Sequence, residues 1–312
     1  MNGLPVEGFV FPGQGVQRVG FGRDVFDRFP DLVAEADDVL GYHVRTLCLD
    51  GPDHLLLESR FSQPAVFVVN ALLLQARLEE QPAPQVVLGH SLGEYNALHA
   101  AGVLTFREAL GLVRARAEAF SRVSGAMLAV IGPRAAEIQQ LLESNGPDSA
   151  VIANYNSRRQ HVLSGTEQAI TVARSLLDEA GAKLTARLRV SVPAHSPLMA
   201  PAAADFALHM AEAAVESARI PVISNLTARP HTADELRTAL VEHLTKPVLW
   251  RQSIEGLWDC YGGPDGLRFT EIGPDTTMTR LIGHIRRDYT TPTTRSERDD
   301  LFRPHRPQRA RP

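Results

Sequence analysis

The chain has 312 residues, 44% of them hydrophobic and 22% charged, which suits one large globular domain or a large domain carrying a smaller insertion. Its formal net charge of −4 gives no electrostatic ground for a nucleic-acid or anionic-membrane partner. Two cysteines, Cys48 and Cys260, exclude a disulfide framework and a Cys-x-x-Cys site, and no run approaches the ~18 apolar residues of a membrane span. Met1 to Gly8 lacks a basic segment followed by a long apolar stretch, so no signal peptide is expected and a reducing, cytoplasmic setting fits best.

Strand-like and helix-like stretches alternate along the chain, which predicts an α/β fold with a largely parallel sheet. Phe9-Val10-Phe11 reads as a short strand ended by Pro12-Gly13. A helix spans Phe61 to Leu78, opening with the polar Ser62-Gln63-Pro64. Val86-Val87-Leu88 is a strand whose lack of alternation marks it as buried on both faces. Leu92 to Ala101 reads as a helix stopped by Gly102. Thr105-Phe106-Arg107-Glu108 forms a capping box, opening a helix that runs to about Arg122.

Around Ser124-Gly125 the texture changes. Ala126 to Ile131 is a strand, followed by a helix over Ala135 to Ser144 and strands at Ala150 to Ala153 and His161 to Ser164. A helix near Gln168 to Ala180 and an alternating strand, Arg187 to Val192, complete the series. This order is that of a split βαβ, ferredoxin-like module. The expected division is a large domain over 1–124 and 191–288 with a small inserted subdomain over 125–190. From Tyr289 to Pro312, Thr, Pro and Arg dominate, and such a tail is expected to be disordered.

Gly89-His90-Ser91-Leu92-Gly93 is a Gly-x-Ser-x-Gly sequence set between a strand and a helix, the context a nucleophile elbow requires. A sharp turn lifts the serine hydroxyl into a cleft, and the helix N-terminus offers free N–H groups to an oxyanion. A serine nucleophile needs a base. His90 is adjacent, so its side chain is expected to point away from Ser91 and to pack or to line a substrate. His195, between Pro193-Ala194 and the N-cap-plus-proline pair Ser196-Pro197, is rigidly flanked and is the better candidate.

Arg116 lies on the apolar face of its helix, because at 100° per residue Ala109, Leu112, Val113 and Phe120 fall within about 60° of it. A guanidinium buried there requires an anion. Either an internal Asp or Glu supplies it, or a substrate carboxylate held bidentately does. Phe11-Pro12-Gly13-Gln14-Gly15 is a glycine-rich loop after the first strand. A dinucleotide site fails there because Arg18 stands where the third glycine belongs; close backbone approach to an oxyanion is the alternative. Asn225-Leu226-Thr227 fits the glycosylation pattern only by accident if the chain is not secreted.

Taken together, these segments resemble the malonyl-CoA:acyl carrier protein transacylases, especially the stand-alone acyltransferases that serve polyketide synthases lacking their own. The likeness spans Phe9 to Arg287 and rests on Phe-Pro-Gly-Gln-Gly at 11–15, Ser-Gln-Pro-Ala at 62–65, Gly-His-Ser-Leu-Gly-Glu-Tyr at 89–95, the arginine at 116, Gly-Ala-Met at 125–127, Asn-Tyr-Asn at 154–156 and His-Ser-Pro-Leu-Met at 195–199. The resemblance implies an α/β-hydrolase-like large domain with a ferredoxin-like small one. It implies Ser91 as nucleophile, His195 as base, and the backbone N–H groups of Gln14 and Leu92 as the oxyanion hole. Arg116 would clamp the malonyl carboxylate, with Gln63, Asn156 and His90 lining the pocket. A backbone carbonyl, that of Leu249, would orient the histidine in place of a third acidic residue.

Malonyl-CoA and a phosphopantetheinylated acyl carrier protein are the implied partners, with no metal and no cofactor beyond the coenzyme A thioester itself. With the chain's net charge negative, carrier docking would use a local basic patch. Two features depart from the family pattern. Val192-Pro193-Ala194 matches neither pattern that separates malonyl from methylmalonyl selectivity, and Ala117 follows Arg116 where glycine is common. Leu92 after the serine still implies malonyl. The rival readings are an editing hydrolase of the same fold, an esterase whose triad draws on Asp275 and His284, and a non-catalytic carrier-binding protein.

Overall fold

The computed structural model describes residues 6–144, 146 and 150–290. The chain enters through strand β1 (Val6–Phe11), three short helices, α1 (Arg23–Phe26), α2 (Pro30–Leu40) and α3 (Val44–Asp50), and the long helix α4 (Ser59–Glu80). β2 (Val86–Gly89), α5 (Gly93–Ala100) and α6 (Phe106–Ser121) follow. Then come β3 (Ala126–Ile131), α7 (Ala135–Glu143), β4 (Val151–Tyr155), β5 (Gln160–Gly165), α8 (Glu167–Glu179) and β6 (Leu184–Arg187). The chain closes with α9 (Ala200–Glu212), β7 (Val222–Ile223), α10 (Leu236–Glu242), α11 (Trp250–Tyr261), β8 (Leu267–Glu271) and α12 (Thr277–Asp288).

The strands form two four-stranded sheets. In the first, ordered β7-β2-β1-β8, every pairing is parallel. Its central strands are buried on both faces over Phe9–Phe11 and Val86–Leu88, so apolar residues run there without interruption and split alternately between two cores. Phe9, Phe11 and Val87 face the larger core with α4 and α6, whereas Val10, Val86 and Leu88 pack with Trp250, Ile254 and Leu257 of α11. The second sheet, ordered β4-β5-β3-β6, is wholly antiparallel and packs its inner face on α7 and α8. That strand order is the ferredoxin-like one expected from the sequence.

Two local expectations shift. The alternating segment 187–192 is not a continuous ladder: β6 ends at Arg187, beyond which Leu188 N donates to Met127 O at 3.0 Å and Ser191 O accepts from Gly125 N at 3.0 Å. The alternation of Leu188, Val190 and Val192 instead marks the side of an extended segment that faces a cavity. At Thr105 the hydroxyl accepts from Glu108 N at 3.2 Å, but among the described residues no bond runs back from the Glu108 carboxylate, so half of the capping box forms. Tyr289 packs its ring against Trp258 and donates to Asp259 at 2.7 Å; the remainder of the expected tail, 291–312, lies outside the described residues.

Candidate active site

The turn between β2 and α5 carries Ser91 with φ 52, a left-handed conformation that costs a residue with a Cβ about 1 kcal/mol or more. Glycines on either side make the turn possible. A Cβ on Gly89 would stand 1.9 Å from Gly93 C, and one on Gly93 would stand 2.2 Å from Phe11 O. The loop after β1 presses equally close, since a Cβ on Gly13 would meet His90 O at 2.4 Å. Asn225, at the end of β7, fixes the turn from behind: its Oδ1 accepts from Ser91 N at 2.8 Å and its Nδ2 donates to Gly89 O at 2.6 Å. The Asn225 side chain is therefore buried and engaged, which removes it as a glycan acceptor.

Ser91 Oγ lies 2.7 Å from Nε2 of His195. His195 is 3% exposed, also has a left-handed backbone (φ 60), and donates its own N–H to Leu244 O at 3.1 Å. Nδ1 faces two backbone carbonyls, His243 O at 2.8 Å and Lys246 O at 3.2 Å. Those acceptors require the Nδ1–H tautomer, which leaves the Nε2 lone pair free for the serine proton. The expected carbonyl of Leu249 is thus the wrong one. Leu249 is the N-cap of α11, so its oxygen accepts from Ser253 N and Ser253 Oγ, each at 2.9 Å. The carbonyls of His243 and Lys246 follow the end of α10, where a helix leaves acceptors unpaired. Burial pushes the His195 imidazolium well down from the ordinary histidine range, and His243, Arg116 and His90 push it further.

Among the described residues no hydrogen bond or ion pair links Asp275 or His284 to this pair. Asp275 Oδ1 instead accepts from Thr277 N at 2.9 Å, at the start of α12.

The hydroxyl opens into a cavity of about 120 Å³ lined by side chains of both sheets' surroundings, among them Phe120, Met127, Asn154, Val190 and Val192. Arg116 of α6 reaches it 2% exposed. Its Nη1 donates to Gln63 Oε1 at 2.6 Å, its Nη2 to Ser91 Oγ at 3.1 Å, and its guanidinium lies 4.2 Å from the Phe120 ring centroid. Among the described residues no carboxylate forms an ion pair with it. Burial disfavours its charge, yet an arginine stays protonated. Glu94 supports that charge from a distance but does not pair with it; a buried cation without a counter-ion in contact is costly, and the cavity beside it is where an anion fits.

Gln14 and Leu92 also line the cavity, and among the described residues neither backbone N–H has an intramolecular acceptor. Leu92 N stands at the N-cap of α5, where the helix adds positive character. Gln63 bridges Arg116 to Gln14, donating to Gln14 Oε1 at 3.3 Å. His90 lines the cavity too, its Nε2 set 2.8 Å from Asn156 Oδ1 and its ring 5.4 Å from Trp250; burial holds its pKa down at about 4. Asn156 sits behind His90, and Asn154 is the asparagine that faces the cavity. Sequence reading missed Asn154, Asn225, His243 and Lys246. The first stands only within a motif and the second only in a glycosylation pattern, while carbonyl acceptors at a site leave no side-chain signature. A wider hollow of about 440 Å³ between α6 and α9 holds Arg107, Arg114 and His209 but no nucleophile beside a base.

Known proteins resemble this chain along most of its length. Residues 8–288 match the family described as Acyl transferase domain. The chain is 41% identical over 290 residues to Polyketide biosynthesis protein ThaF of Burkholderia thailandensis, spanning 91% of this chain but 24% of that protein, about a quarter of its length. It is 39% identical to Polyketide biosynthesis malonyl CoA-acyl carrier protein transacylase BaeC of Bacillus velezensis, over 90% of this chain and 96% of the relative. A crystal structure of malonyl CoA-acyl carrier protein transacylase from Burkholderia pseudomallei superposes with a TM-score of 0.88 at 40% identity, covering 92% of this chain and all of the other.

Proposed function

The chain belongs to the acyl transferase domain family and is an acyltransferase, and from that premise we propose that it moves a malonyl group from coenzyme A to the phosphopantetheine thiol of an acyl carrier protein, supplying polyketide or fatty acid synthesis. The observation that carries the malonyl assignment is Arg116, a buried cation with no carboxylate of its own, 3.1 Å from the attacking hydroxyl. A substrate carboxylate on that guanidinium places a thioester two bonds away beside Ser91 Oγ, so recognition and orientation come from one contact.

In the proposed cycle His195 Nε2 takes the Ser91 proton as Oγ attacks the thioester carbonyl. The N–H groups of Gln14 and Leu92 receive the oxyanion. Collapse expels the coenzyme A thiolate, which takes the proton from His195 and leaves malonyl-Ser91. The carrier thiol then gives its proton to His195 and attacks the ester. The second collapse returns the proton to Ser91. Side chains and backbone groups of the chain suffice for every step, with coenzyme A entering only as substrate. No described helix is long and apolar enough to cross a membrane, in keeping with a cytoplasmic setting for soluble carriers. The origin of all four antiparallel strands in residues 126–187 supports taking 125–190 as the inserted module of a catalytic unit formed by 1–124 and 191–288.

Brief incubation with malonyl-CoA is expected to add one malonyl mass to the intact protein, located on Ser91 by peptide mapping and absent from Ser91→Ala. With a phosphopantetheinylated carrier present, transfer is expected to exceed release of free malonate. Adduct persisting in Ser91→Ala overturns the acyl-serine. Hydrolysis outrunning transfer for every acyl group tested replaces the transferase with an editing hydrolase.

A further inference from the structure

Glu94, the second residue of α5, has no part in the cycle above, yet its side chain is 1% exposed, two hydrogen-bond donors reach it, and a third nitrogen faces it at ion-pair distance. Oε1 accepts from His231 Nε2 at 2.7 Å and from Asn225 N at 3.1 Å, and Oε2 lies 3.3 Å from Nδ1 of His243. Burial alone raises a carboxyl pKa, but the two histidines outweigh it and hold this group at about 2, so it is an ionised acceptor.

Two of the three partners each touch one half of the catalytic pair. Asn225 holds the nucleophile turn through Ser91 N at 2.8 Å and Gly89 O at 2.6 Å. His243 supplies the nearer carbonyl to His195 Nδ1, at 2.8 Å, and lays its ring 4.5 Å from that of His195. His231 anchors the carboxylate itself. We propose that Glu94 is a positioning residue: one buried carboxylate ties the 225 loop behind Ser91 and the turn behind His195 to the same point, and so keeps Oγ and Nε2 in register. An acidic group thereby serves a dyad without touching the histidine it positions. Only an ionised carboxylate offers acceptors to all three partners; a glutamine keeps an oxygen for Asn225 and His231 but turns an NH₂ toward His243.

The inference rests on the acyl-Ser91 reading, and the experiment separates the two. Steady-state malonyl transfer and the pre-steady-state rate of Ser91 acylation are measured on folded wild type, Glu94→Ala and Glu94→Gln. For a misregistered pair, kcat of the alanine variant is expected to fall about 100-fold with KM for malonyl-CoA within about twofold, and glutamine to recover about tenfold of that loss. Wild-type kcat in folded Glu94→Ala, a loss expressed wholly in KM, or no recovery with glutamine overturns the proposal. Should neither variant fold, Asn225→Ala leaves Glu94 all three partners, because the 225 contact is a backbone N–H, and cuts only the side-chain arm from that loop to Ser91 N and Gly89 O; acylation is expected to slow about tenfold, and an unchanged rate overturns the proposal. A wild type that never acylates Ser91 instead removes the earlier reading, a result distinct from unimpaired variants beside an acylating wild type.

Discussion

Replacing Arg116 by alanine isolates the contact that selects the acyl group. In the resting protein the guanidinium spends its hydrogen bonds on Gln63 Oε1 and Ser91 Oγ and packs on Phe120, all neutral partners. Removing it costs no internal ion pair, and it removes a desolvated charge, so the melting temperature of Arg116→Ala is expected to equal or exceed that of wild type. The malonyl carboxylate, by contrast, would enter a cavity of about 120 Å³ with no cation to meet it. Leaving one member of a desolvated charge pair unpaired costs about 2–5 kcal/mol. At about 1.4 kcal/mol per factor of ten, kcat/KM for malonyl-CoA relative to acetyl-CoA should fall about 30- to 4,000-fold. The assay is acyl transfer to a phosphopantetheinylated carrier from each thioester, with the acyl-enzyme followed by intact mass. Acetyl transfer is expected to be retained or to rise. An unchanged malonyl-to-acetyl ratio in a folded Arg116→Ala protein would refute the clamp and the malonyl assignment with it.

Three further outcomes follow from the geometry. Gly93→Ala places a Cβ 2.2 Å from Phe11 O, a backbone atom that cannot yield, so soluble yield and melting temperature are expected to collapse; a stable, active variant contradicts the tight strand–turn–helix packing. Burial, His243, Arg116 and His90 keep His195 neutral well below pH 6.5, so the acid limb of kcat/KM should lie well below that pH, and a midpoint at or above it contradicts the buried base. Asp275→Asn preserves the acceptor for Thr277 N and is expected to lower turnover by under about tenfold, where loss of a true triad acid costs about 10⁴-fold. A folded Asp275→Asn protein as inactive as Ser91→Ala overturns the dyad.

What could be read from the sequence divides along physical lines. The elbow was legible because a strained turn tolerates so few residues: glycines at 89 and 93 are dictated by backbone atoms that an added Cβ would approach to under 2.5 Å. The burial of Arg116 was legible because helical spacing fixes which face a side chain joins, although spacing alone left open whether Asp or Glu would meet it. The segment 188–192 misled because alternation reports which side of an extended chain is buried, and a cavity wall and a sheet face impose the same pattern. The carbonyls behind His195 were misassigned to Leu249 because the main chain is identical at every residue; only the end of α10 at Glu242 and the start of α11 at Trp250 decide which oxygens are free. Glu94 and Asn225 were out of reach for a different reason. They meet across 131 positions of chain, a contact that neither local propensity nor periodicity encodes.

The acceptors that hold His195 are encoded by a shape and not by a letter. No point substitution deletes a carbonyl, so alanine scanning of residues 243–246 will pass over them, and only changes that re-route the turn, such as a proline or a one-residue deletion, can disable them. A hunt for a third member of a triad, in this chain or in a library of its variants, will accordingly come back empty. The same anonymity gives the segment latitude: apart from His243, whose ring faces Glu94 and His195, its side chains have room to drift, provided the helix still ends at the same place.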